Sequence, residues 1–122
     1  MSKVVSEKDY VAVLISTGCG VGWSTWNRDH PELMFDPVLV KMVQEVGVAE
    51  RSEEAGTRKR VWSKFKEDAK KYLSDKYEEY ICTEGLDGLH IVWIKEGTKF
   101  FIRDDDGNET LHTISDIHWI TA

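Results

Sequence analysis

The longest early run of apolar positions is Tyr10–Ser16, YVAVLIS, rich in β-branched residues and followed by glycines. Its length and its bounding residues predict a buried strand and not a helix. A different period starts at Asp36. Val38, Leu39, Met42, Val43 and Val46 recur on one face of a 3.6-residue repeat, which predicts a helix from Asp36 to about Val46. Asp36 is placed to cap it, Pro37 suits its first position, and Gly47 is placed to end it. The polar stretch Val48–Thr57 reads as a loop or a frayed helix end. A second helix is predicted over Arg58–Ser74, with Val61, Trp62, Phe65, Ala69, Tyr72 and Leu73 as its apolar stripe and its lysines as a solvated surface. The last third alternates as strands do: Leu89–Lys95, Lys99–Arg103, Glu109–Ser115 and Ile117–Thr121. Glu96-Gly97-Thr98 and the Asp-Gly-centred loop Asp104–Asn108 separate the first three of these. The order β, α, α, then several β predicts an α+β fold. In this reading residues 1–122 form a single domain, an antiparallel sheet of about five strands with two helices packed on one face.

The totals add bounds. With 122 residues and 41% apolar composition, the chain can bury a core without a disulfide or metal staple. The net charge of −6 argues against binding long nucleic acid, which needs a basic stripe. Cys19 and Cys82 form no CxxC pair, so a reducing cytoplasm is the expected setting. The start, MSKVVSEKDY, has no signal-peptide apolar core, and no run reaches membrane-spanning length. A soluble cytoplasmic protein with no membrane partner and no cofactor is therefore expected. Five tryptophans in so short a chain predict that some of them line a pocket or an interface.

The densest chemistry is ISTGCGVGWSTW, Ile15–Trp26. The glycine spacing fits neither GxGxxG nor a phosphate-binding P-loop, since the third glycine comes one residue early and no Gly-Lys-Ser/Thr follows. General physics remains. Gly18, Gly20 and Gly22 allow main-chain N–H groups to approach a ligand and cradle a phosphate or carboxylate. Thr17, Ser24 and Thr25 add hydroxyl donors, Trp23 and Trp26 offer faces for a base to stack on, and Asn27 and Arg28 complete a polar rim. The competing reading is a tight turn packed under two core tryptophans.

Other constellations carry less. His30, His90, His112 and His118 form no HxxxH or HExxH pair, so no metal site is assigned. Asp104–Glu109 fails the EF-hand pattern, because its sixth residue is Glu109 and not glycine, and reads as a hairpin turn. Cys19, with His30 as base, is the best nucleophile candidate, but nothing fixes their geometry and no catalytic residue is assigned. Cys82 reads as a core residue.

The opening LISTGCGVGWSTWN and the ending EGTKFFIRDDDGNETL…HWITA resemble a group of small, mostly uncharacterised proteins encoded by bacteriophages and prophages. Relatives in that group carry an aromatic residue where this chain has Cys19, which weakens a catalytic reading of the thiol. Gly47–Arg60 fits the resemblance least. The resemblance implies an infected bacterial cytoplasm. By analogy it suggests a counter-defence sponge that sequesters a small nucleotide-derived immune signal without cutting it. Such sponges often form homo-oligomers, in which Trp62, Trp93 and Trp119 would serve an interface or the core. Three readings stay open: a non-enzymatic binding protein for a nucleotide-like ligand, an inhibitor or accessory factor acting on a host protein with a basic surface, and a hydrolase using Cys19 or a histidine.

Overall fold

The computed structural model describes residues 3–5, 9–17, 21–52 and 55–113. Strand β1, Tyr10–Ser16, pairs antiparallel with β2, Leu89–Lys95, from Tyr10 opposite Lys95 to Ser16 opposite Leu89. Residues 3–5 run along the other edge of β1, where the Ala12 N–H donates to the Val4 carbonyl at 3.0 Å. Between the two strands come helices α1, Pro37–Ser52, and α2, Ala55–Lys76. After β2, strands β3, Phe100–Asp105, and β4, Asn108–Thr113, form a separate antiparallel hairpin.

β1 is buried from Val11 to Ser16, and alternation splits its side chains between two cores. Ala12 and Leu14, with Leu89 and Ile91 of β2, face Leu39, Val40, Val43, Phe65, Ala69 and Leu73 of the helices. Val11, Val13 and Ile15, with Val92 and Ile94, face Phe100, Ile102 and Leu111 of the hairpin. The sheet is thus covered by helices on one face and by the β3–β4 hairpin on the other. This is the α+β class that the residue pattern predicts, with both helices on one face. It corrects the expected single sheet of about five strands: the described residues hold four strands in two two-stranded sheets. The reason lies in β1, whose doubly buried run needs a cover on each side, and the hairpin supplies the second. The strand predicted at Ile117–Thr121 lies outside the described residues, as do His118 and Trp119.

The helix ends also differ from expectation. Asp36 does cap α1: its Oδ1 accepts the Val38 and Leu39 N–H groups at 2.9 and 3.1 Å. Its Oδ2 accepts the Tyr72 hydroxyl at 2.8 Å and the Lys76 ammonium at 3.1 Å, which ties the start of α1 to the end of α2. Gly47, however, does not end α1, and Val48–Ser52 continue the helix, the second of the two readings open for that stretch. A mid-helix glycine costs only about 1 kcal/mol relative to alanine, too little by itself to end a helix. The hairpin turn is as the Asp-Gly pair predicts, with Asp106 and Gly107 at φ 55° and 89° between paired Asp105 and Asn108.

Candidate functional site

The segment between β1 and α1 folds as a chain of turns from Trp23 to Asp29, followed by a short 3₁₀ turn, Pro31–Met34. Its anchor comes from far along the chain. Glu109 starts the inward face of β4, on the same side as Leu111, so its side chain reaches the C-terminal end of β1. There the carboxylate is 1% exposed and accepts six hydrogen bonds. Oε1 takes the Ser16 N–H at 2.9 Å, the Ser16 hydroxyl at 3.2 Å and the Ser24 N–H at 3.3 Å. Oε2 takes the Ser24 hydroxyl at 3.2 Å and the Thr25 N–H and hydroxyl, each at 2.7 Å.

The residues that flank the glycines, Ser16, Ser24 and Thr25, cradle an anion, and the anion is the protein's own. Among the described residues no lysine or arginine pairs with Glu109. Burial pushes its pKa up, which is the largest single influence. The hydrogen bonds from Thr25, Ser16 and Ser24 together outweigh burial and hold the carboxyl below its ordinary 4.5. Gly22 shows how tight the cradle is. A Cβ there would sit 2.5 Å from Thr25 Oγ1 and 2.8 Å from Glu109 Oε2. Gly22→Ala is therefore expected to cost about 1–3 kcal/mol of stability in a thermal melt. An unchanged melting temperature would mean that Thr25 can turn away from the carboxylate at no cost.

The predicted site residues separate into three groups. Trp23, Ser24 and Asn27 are structural. Trp23 is 0% exposed, so it offers no face to a ligand, which corrects its expected stacking role. Its N–H donates to the Ser16 hydroxyl at 2.9 Å and its indole Nε1 donates to the Leu33 carbonyl at 3.3 Å. Ser24 is consumed by Glu109. Asn27 corrects likewise from rim to staple: its Nδ2 donates to the Trp23 and Cys82 carbonyls, both at 3.0 Å, and its Oδ1 accepts the Cys82 N–H at 2.9 Å. Cys82 is a buried free thiol, as expected. Thr17 is exposed, with its N–H on the Gly88 carbonyl at 3.1 Å. Gly18, Cys19 and Gly20 lie outside the described residues.

Thr25, Trp26 and Arg28 form the remaining group, at the surface. Trp26 is 53% exposed, and its indole N–H donates to Asp104 at 3.2 Å. Asp104 also accepts the Thr25 hydroxyl at 3.2 Å and the Gly107 N–H at 2.7 Å, so one carboxylate holds the Trp26 ring and the hairpin turn together. The Arg28 Nε donates to the Thr25 carbonyl at 3.1 Å, and its terminal nitrogens make no bond to the described residues. Of the other tryptophans, Trp62 is half-buried against the helical core, edge-on to Phe65 at 5.4 Å, and Trp93 is exposed on β2, opposite Ala12.

No family model matches the chain, and no curated protein or solved structure was found to be similar to it. Function is therefore argued from the surface itself. The turns lie between two hollows. One, of about 390 Å³, opens toward the hairpin and is lined by Ser24, Thr25, Arg28, Met34, Phe35, Phe100, Phe101 and Ile102. The other, of about 570 Å³, opens toward the segment after α2 and is lined by Trp26, Asn27, Asp29, His30, Glu79, Tyr80 and Cys82. A third, of about 290 Å³, is a seam between α1 and α2 over Met42, Val46, Val61 and Phe65, closed at its rim by the Lys64–Asp68 pair at 3.0 Å. Phe35, Phe100 and Phe101 carry no periodic signal that marks them as site residues. They meet Arg28 only because the hairpin folds back over β1.

Proposed function

We propose that the protein is a non-enzymatic binding protein for a small, planar, anionic ligand of the nucleotide class, held in the hollow beside the hairpin. One observation carries this reading. Arg28, with terminal nitrogens that bond no described residue, stands at the edge of a hollow lined by Phe35 and Phe100, with Phe101, on the opposite face of β3 and stacked on His112, at its margin. A guanidinium suits a phosphate or carboxylate, and the aromatic faces suit a flat ring. The volume of about 390 Å³ falls within the range of small-ligand sites. The resemblance to phage proteins supplies the setting, an infected bacterial cytoplasm, and sequestration of an immune signal as the use. The ligand site moves accordingly. Trp23, Ser24 and Thr25 shape it from behind, and Arg28 meets the ligand beside the aromatic lining.

The test is a thermal-shift and fluorescence screen against ADP-ribose derivatives, cyclic ADP-ribose forms, cyclic di- and trinucleotides and NAD. A true ligand raises the melting temperature with dose and is recovered intact after the protein is denatured. Arg28→Ala is expected to weaken it roughly tenfold or more, the loss of one charge-assisted contact. The Arg28 side chain is exposed, so this change should not unfold the protein. A flat response across the panel, or a ligand that binds Arg28→Ala unchanged, ends this reading.

A further inference from the structure

The second hollow has the opposite character. Trp26 and Tyr80 are its two large aromatic side chains, 53% and 84% exposed. Asp29 and Glu79 line it, and among the described residues no lysine or arginine does. His30, also in the lining, lies between carboxylates, with Nε2 2.9 Å from Glu79 and Nδ1 3.3 Å from Glu32. The arrangement is built. Asn27 binds the backbone of Cys82 on both sides, which draws Tyr80 and Glu79 up against the turn, and Asp104 fixes the Trp26 ring from behind. A tryptophan and a tyrosine that present their rings to water, flanked by negative charge, are suited to one chemistry: an alkyl cation over an aromatic face. The protein as a whole carries a net charge of −6, which steers it toward a positive surface.

We infer that this hollow docks a protein partner by receiving one of its exposed arginine or lysine side chains between Trp26 and Tyr80. The site is open, with Tyr80 almost fully solvated, and so suits a side chain projecting from a larger surface better than a free cation that must be enclosed. This docking is independent of the ligand hollow, since the two have no lining residue in common.

The experiment follows the indole N–H of Trp26 by NMR, assigned by its loss in Trp26→Phe, while a short arginine-containing peptide is titrated in. The control is the same peptide with citrulline, which keeps the shape and removes the charge. The arginine peptide is expected to give a saturable shift that weakens as salt is added. The citrulline peptide, and the Asp29→Asn/Glu79→Gln double variant, should each bind roughly tenfold more weakly. Tyr80→Ala should weaken binding while the fold, read by circular dichroism, is kept, since its side chain is exposed. Equal shifts from the two peptides, or no saturable shift, would overturn the proposal. So would binding of spermidine with none of the peptide, because the occupant would then be a free polyamine.

Discussion

Replacing Glu109 with alanine is expected to destabilise the protein by about 4 kcal/mol or more, lowering the melting temperature by about 15 °C. Truncation leaves three backbone N–H groups, of Ser16, Ser24 and Thr25, and the hydroxyls of Ser16 and Ser24 without their acceptor, while the Thr25 hydroxyl keeps Asp104. The Ser16 and Ser24 donors are buried, where water cannot replace the lost carboxylate cheaply. Glu109→Gln is the more informative variant. It keeps the volume but turns one oxygen into a donor facing three other donors, so it should still cost about 3 kcal/mol. Removing a single donor, as in Thr25→Val, should cost far less. Chemical denaturation with the three variants side by side checks the ordering; if Glu109→Gln is as stable as the parent, the carboxylate is not the anchor of the turns.

The same group sets a pH dependence. The folded protein holds Glu109 below its ordinary 4.5, so the unfolded chain binds a proton that the folded chain refuses. The stability Glu109 contributes is therefore complete above the unfolded-state value and lost as pH falls through the lower folded value. The gap in stability between the parent and Glu109→Gln should be constant from neutral pH to about 5 and shrink below that. A gap that widens on acidification would reverse the sign of this argument.

Glu109 also shows what could and could not be read from the residues. β1 and β2 were legible because an uninterrupted β-branched run has few alternatives, and the hairpin because Asp-Gly permits the positive φ angles its turn needs. The hydroxyl residues of the segment, Ser24 and Thr25, were legible as hydrogen-bond donors, since they follow from the local supply of O–H groups. The identity of the anion was not. Ser16 and Glu109 are 93 residues apart, and Glu109 sits in DDDGNE, where an acidic residue already has a sufficient explanation as turn chemistry. The end of α1 was misread at Gly47 for a related reason. A glycine marks a local cost of about 1 kcal/mol, which by itself does not decide where a helix stops. Tyr80 and Glu79 escaped notice because nothing local links them to Trp26. Asn27 makes that link through the backbone of Cys82.

Trp23→Ala is expected to cost about 4 kcal/mol, and Trp26→Ala less than about 1 kcal/mol. The two residues sit three positions apart in one polar, glycine-rich stretch, and sequence treats them alike. Turns have no fixed period to say which points inward. The fold decides: Trp23 fills the space between β1 and the 3₁₀ turn, packed with Leu14, Leu33 and Leu86 in the helical-side core, while Asp104 holds Trp26 at the surface. Trp23→Phe separates the two parts of the Trp23 contribution. It keeps most of the apolar volume and deletes the bond to the Leu33 carbonyl, so a loss of about 1–2 kcal/mol is expected there. The consequence for function is direct. Loss of ligand binding in Trp23→Ala would report unfolding of the turns that carry Arg28, Thr25 and Trp26, and would say nothing about stacking. Only the surface positions can separate binding from folding. If Trp23→Ala melts with the parent, Trp23 is not packed as described, and its ring returns to the candidates for a ligand-facing wall.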